Sequence, residues 1–170
     1  MKWRNHNLTT LATVYAATGS FPAMLIASAA SHMPDALEFS GIVGHRTVTH
    51  YPWFYLVPAV FLWCRLHNEP GYVAYIVFLV LVGCLCHLFE DLLSNSGIPL
   101  VTPYGKPYGL HLYVTRTPSE FTTALAIVFS ALLIAWNLGR LDGEYIRHAA
   151  LQTQLFVQSL IRSVIDQGVT

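Results

Sequence analysis

The stretch that decides the fold is GYVAYIVFLVLVGCLCHLF, residues 71–89, which contains no Asp, Glu, Lys or Arg. As an α-helix rising 1.5 Å per residue, it would cover about 28 Å, close to the hydrocarbon thickness of a bilayer. Residues 121–139 (FTTALAIVFSALLIAWNLG) meet the same test. Residues 51–64 (YPWFYLVPAVFLWC), with the preceding turn, are predicted to form a third crossing that is kinked at Pro58. The sequence therefore predicts an all-α integral membrane bundle with about three spanning helices.

The composition of the 170-residue chain supports this prediction and limits the class of partner. Apolar residues make up 54% and charged residues only 11%, against about 25% charged in a typical soluble domain. This scarcity of charge makes membrane lipid the expected partner. The formal net charge is +0, so the chain has no overall basic field to hold nucleic acid or to favour anionic lipid. We predict one membrane-embedded helical domain over residues 1–170, made of a bundle in residues 1–141 and an amphipathic helix in residues 142–170.

Residues 8–30 leave three alternatives open, because a Gly-Ser-Phe-Pro sequence at residues 19–22 interrupts the apolar run. The region could form a single kinked span, a cleaved signal peptide or a helical hairpin. The arms of the hairpin would be residues 8–18 and 22–32. We favour the N-terminal hairpin because it brings His6 and Asp35 to the same end of the molecule, whereas a straight span would place them on opposite sides of the membrane.

Ionisable side chains gather at one end of this predicted bundle. His87 and Asp91 lie four residues apart, on one face of the 71–89 helix as it leaves the membrane. With helices that run alternately up and down, the same end would hold His6, Asp35, Glu38, His45, His50, His87 and Asp91. Ionisable groups at membrane depth are costly and are usually paired, inward-facing and functional. We therefore predict one common site rather than several independent loops.

The chemistry of these side chains indicates a metal site. Imidazole nitrogens and carboxylate oxygens ligate divalent metals, and a mixture of the two suits zinc, with manganese, nickel and iron as alternatives. The predicted metal ligands are His6, Asp35, His50, His87 and Asp91. Glu38 and His45 are candidates for ligation or proton transfer, and Arg46 or Lys106 could hold a substrate anion.

The motifs at these positions resemble a known family. They are His6, Pro34-Asp35, GHRTVTH at residues 44–50 and HLFEDLLSNSGIPL at residues 87–100. They are similar to those of the YdjM-like family of LexA-regulated, membrane-bound predicted metal-dependent hydrolases, over roughly the first two thirds of the chain. The resemblance implies a helical, phospholipase-C-like site in a bacterial inner membrane. One departure is Leu37, which stands where the family has a second aspartate, so that Glu38 is the candidate replacement.

These observations lead us to expect hydrolysis of a phosphoester or lipid-like substrate by a metal-activated water. Two alternatives stay open. One is a non-enzymatic membrane subunit or scaffold of a larger envelope assembly, with a structural or vestigial metal site. The other is a metal or proton transporter, which the clustering of ionisable groups at one end of the bundle disfavours.

Two peripheral segments complete the prediction. The C-terminal helix could bind the membrane surface, a membrane-protein partner or a second copy of the chain. Residues 94–120 form either a lid over the helix ends or a connecting loop at the membrane interface. In the second case Tyr104, Tyr108 and Tyr113 would form an aromatic belt.

Overall fold

A computed structural model describes residues 1–38 and 46–168 as a bundle of helices. The helices are α1 (Trp3–Thr18), α2 (Phe21–Ala30), α3 (Met33–Glu38), a 3₁₀ helix (Val48–His50), α4 (Pro52–Asn68), α5 (Tyr72–Leu92), α6 (Pro118–Asn137) and α7 (Gly143–Gly168). Two short antiparallel strands, β1 (Ile98–Pro99) and β2 (Pro107–Tyr108), lie between α5 and α6. The predicted all-α class is confirmed, with this small hairpin of strands as an addition.

Two of the described helices, α5 and α6, are long and apolar enough to cross a membrane. They contain 21 and 20 residues, so that each covers about 30 Å. Helix α4, the predicted third crossing, has 17 residues and contains Pro58. That length is at the lower limit for a bilayer, and its crossing stays a prediction.

The predicted N-terminal hairpin is confirmed, and the residues of its turn explain the reversal. Gly19 ends α1 in the left-handed region, with φ of 65°, and its N–H donates to the carbonyl of Tyr15. Ser20 then begins α2, because its side chain accepts a hydrogen bond from the N–H of Ala23. Helix α1 begins at Trp3, earlier than predicted, so His6 lies within the first arm rather than before it. The single-span alternative is therefore wrong.

Small residues allow the hairpin to pack closely on the longer helices. Arm α1 packs against α6, and arm α2 packs against α5. A Cβ atom added to Gly83 of α5 would come within 2.1 Å of the carbonyl oxygen of Ala27 in α2. Ala16 of α1 is buried in one cluster with Ala131 and Ala135 of α6. Membrane helices commonly pack through such residues, because small side chains let the backbones approach.

The segment between α5 and α6 folds back over the end of α5. The N–H of Leu110 donates to the carbonyl of Leu92, in the last turn of the helix, where carbonyls lack helical partners. Tyr113 is 1% exposed and donates its hydroxyl to the carbonyl of Glu90. The predicted aromatic belt is therefore wrong for Tyr113, because its ring is buried in a cluster with Met1, Leu93 and Ala124. The other two tyrosines of the proposed belt are exposed.

Helix α7 is the predicted amphipathic helix. It lies beside α2, and a Cβ atom on Gly19 would collide with the ring of Tyr145. Many of its apolar side chains are nevertheless exposed, among them Leu151, Leu155, Val157, Ile161 and Val164. The helix thus carries an apolar face that the described part of the chain leaves uncovered.

Candidate metal centre

Three donor atoms at the end of the bundle form a nearly equilateral triangle. The Nε2 atoms of His50 and His87 lie 3.3 Å apart. Oδ1 of Asp35 lies 3.4 Å from Nε2 of His50 and 3.5 Å from Nε2 of His87. Zinc–ligand bonds of about 2.0–2.1 Å in a tetrahedron place neighbouring donors about 3.3–3.4 Å apart. The triangle therefore has the dimensions of one face of a tetrahedral zinc site.

Three separate elements supply these donors. Asp35 is in the first turn of α3, His50 ends the 3₁₀ helix before α4, and His87 lies near the end of α5. Asp91, one turn further along α5, places Oδ2 at 3.5 Å from Nε2 of His50 and 3.8 Å from Nε2 of His87. The same oxygen is 2.7 Å from a terminal nitrogen of Arg46. Asp91 therefore borders the triangle and is already held by a cation.

A second group of donors consists of His6, His87 and Asp91, and shares only His87 with the triangle. The imidazole of His6 stacks on that of His87, with ring centroids 4.0 Å apart. Its Nε2 lies 3.8 Å from Oδ1 of Asp91 and has no hydrogen-bond partner among the described residues. His6 is fully buried, and an unpartnered polar atom is costly there. A metal ion beside Asp91 would satisfy this nitrogen, so the residues present fit a divalent metal.

Two carboxylates contact the imidazoles of His50 and His6 at Nδ1, the nitrogen that faces away from the other donors. Oε1 of Glu38 lies 2.8 Å from Nδ1 of His50, and Oε2 of Glu90 lies 2.5 Å from Nδ1 of His6. Each contact leaves Nε2 facing the donor groups. Carboxylate–histidine pairs of this kind fix the tautomer and orientation of metal-ligating imidazoles. Glu90 was not among the residues predicted from the sequence, although an acid inside an apolar membrane helix indicates a functional position.

Replacement of Glu90 by glutamine is expected to weaken metal binding by about 10- to 100-fold, the usual effect of losing such a support. Glutamine keeps the volume and an acceptor for the hydroxyl of Thr9, which now donates to Oε1 of Glu90. Metal affinity would be measured by competition with a chromophoric chelator. Glu144→Gln, on the exposed part of α7, is the control. An unchanged affinity in Glu90→Gln would contradict the supporting role.

The protonation of the cluster follows from competition between burial and hydrogen bonding. Burial alone would lower the pKa of His50, but hydrogen bonds with Asp35 and Asp91 raise it to about 9. Burial would raise the pKa of Asp35, yet hydrogen bonds with His50 and His87 hold it well below its usual range. Burial and the nearby His87 together lower the pKa of His6. The raised pKa favours the protonated form of His50, and a metal ion that bound at its Nε2 would have to displace that proton.

The remaining predicted residues lie in different surroundings. Arg46 contacts Asp91 and also donates to the carbonyl of Gly97 at 3.1 Å, so it is part of the cluster. Lys106 is exposed between β1 and β2. His45 lies outside the described residues. The α-amino group of Met1 also reaches the cluster, 3.0 Å from Oδ1 of Asp91.

A helical bundle with two membrane-length helices and a buried cluster of histidines and carboxylates defines a membrane protein with a candidate metal centre. A comparison with known protein families matches residues 1–150 to the family described as YdjM inner membrane protein. The chain belongs to this family, as the resemblance of its motifs predicts. No curated protein and no solved structure matches the chain significantly.

Proposed function

We propose that the protein is a metal-dependent hydrolase of the bacterial inner membrane that acts on a phosphoester or lipid-like substrate. The observation that supports this most directly is the triangle of Asp35, His50 and His87. Three protein ligands with an open fourth position are typical of catalytic zinc sites, whereas structural sites are closed. A divalent metal held there would lower the pKa of a water molecule and supply a nucleophile near neutral pH.

Arg46 is the residue best placed to bind the substrate phosphate. Its guanidinium group has five N–H donors, and it contacts Asp91 and the carbonyl of Gly97. We propose that the remaining donors hold the phosphate beside the triangle, as bidentate arginine contacts commonly do. Glu38 lies behind His50, which supports a positioning role for this carboxylate rather than the predicted proton transfer. His45 stays a candidate for ligation or proton transfer.

The test of this function is removal and return of the metal. The purified protein should contain stoichiometric zinc, manganese, nickel or iron by elemental analysis, and should hydrolyse a generic phosphodiester or a phospholipid. Chelation should abolish the turnover, and the metal should restore it, whereas the chelator already saturated with that metal should have no effect. Protein without stoichiometric metal, or turnover that survives complete chelation, would overturn the proposal.

The non-enzymatic alternative is favoured by one observation, the uncovered apolar face of α7. Such a face suits a membrane surface, a membrane-protein partner or a second copy of the chain. In this case the metal centre would only tie the helices together. Stoichiometric metal without turnover of any phosphodiester or phospholipid would favour the scaffold over the enzyme.

A further inference from the structure

A cavity of about 610 Å³ lies where α1 and α6 begin, and it is distinct from the metal centre. The side chains of Lys2, Arg4 and Arg116 line it, and all three residues are exposed. Within residues 1–38 and 46–168, none of these three cations forms an ion pair with a carboxylate. The cavity therefore presents unneutralised positive charge.

The acid that also lines this cavity, Glu120, already has its own partners. Its Oε1 accepts hydrogen bonds from the backbone N–H of Lys2 and the side-chain amide of Asn5, both at 2.6 Å. Its Oε2 accepts from the backbone N–H of Arg116 at 2.7 Å. Glu120 is 1% exposed, and these hydrogen bonds join the start of α1 to the segment before α6. The cavity is lined by three cationic side chains and by one carboxylate that already accepts three hydrogen bonds, so its net positive charge suits an anion.

The position of the cavity relative to the membrane indicates what kind of anion it would meet. Helix α6 is of membrane length, so its first turn lies at the depth of lipid headgroups. Leu8 and Phe121 line the same cavity and are 43% and 55% exposed. A ligand with a phosphate at one end and acyl chains at the other would match both the cations and these apolar side chains.

We propose that this cavity binds the phosphate of an anionic membrane phospholipid, whose acyl chains lie along Leu8 and Phe121. This site goes beyond the proposed hydrolase function, because it requires neither the metal nor turnover. Its ligand would anchor the start of α1, the helix that carries His6.

The test measures retention of phosphatidylglycerol by the purified full-length protein, using native mass spectrometry. Wild-type protein should bind one molecule in preference to phosphatidylethanolamine, which has the same phosphate but no net charge. Arg4→Gln combined with Arg116→Gln should weaken binding about 30-fold, since each cation near an anionic lipid contributes roughly fivefold. Arg147→Gln on the exposed part of α7, the matched control, should leave binding unchanged.

Two results would overturn the proposal. One is equal retention of phosphatidylglycerol by the double variant and the control. The other is full displacement of the lipid by millimolar inorganic phosphate, which would assign the cavity to a free anion instead. An unchanged denaturant unfolding midpoint of the double variant in detergent would show that the fold is intact, so loss of lipid binding could not be attributed to unfolding.

Discussion

Replacement of His87 by alanine is expected to weaken metal binding and to reduce hydrolysis. His87 is the residue common to the two donor groups, Asp35–His50–His87 and His6–His87–Asp91. If about 10–16 kcal/mol of zinc binding energy is shared among four ligands, one ligand contributes about 2.5–4 kcal/mol. The affinity should therefore fall roughly 100- to 1000-fold. Elemental analysis and phosphodiester turnover of the purified variant would measure both effects.

His67→Ala is the matched control, because His67 is an exposed histidine on α4. His6→Ala should have a smaller effect on metal content, since it removes a donor from one group only. His87→Gln keeps more of the buried volume than alanine and separates loss of a ligand from loss of packing. If His87→Ala retained full metal content and wild-type turnover, the donor groups would have no role in either.

Replacement of Asp91 by alanine is expected to destabilise the metal-free protein by about 3–5 kcal/mol, the cost of breaking a buried ion pair. Asp91 is 1% exposed, and its partner Arg46 is held in a largely buried position 2.7 Å away. Without the carboxylate, the guanidinium group is left beside His50 and His87 with no counter-charge at that contact. Denaturant unfolding in detergent, with chelator present, would measure the loss.

The control for Asp91 is Glu69→Ala. Glu69 forms an ion pair with Arg65, but their side chains are 76% and 57% exposed. Exposed pairs contribute little, so this substitution should stay within about 0.5 kcal/mol of wild type. Equal stability of Asp91→Ala and Glu69→Ala would contradict the importance of the buried pair.

The hairpin is the part of the fold that sequence reasoning predicted most usefully. The glycine and proline near residue 20 indicated a turn, and the turn brings His6 beside His87 and Asp91. The apolar runs predicted α5 and α6 because length and composition alone define a membrane-length helix. These features depend on local sequence, which is why they could be read from it.

The surroundings of the donors could not be predicted in the same way. Glu90 is next to Asp91 in the sequence, which does not show whether its carboxylate ligates the metal or supports a ligand. The packing of α1 against α5 shows that it contacts Nδ1 of His6 and so supports that imidazole. The short strands β1 and β2 both contain proline, which disfavours a strand prediction. Tyr113 was predicted to be interfacial because its burial comes from packing with Met1 and Ala124, which local sequence does not reveal. Such contacts depend on tertiary packing rather than on periodicity.

The bond between His6 and Glu90 joins residues 84 positions apart and makes the burial of the first helix depend on a much later one. Before α5 is synthesised, the imidazole of His6 has no such carboxylate, and burying it unpaired in lipid would be costly. The contact of His6 with Glu90 can therefore form only after α5 has been made, so that burial of the first arm and completion of the donor cluster depend on the same later helix.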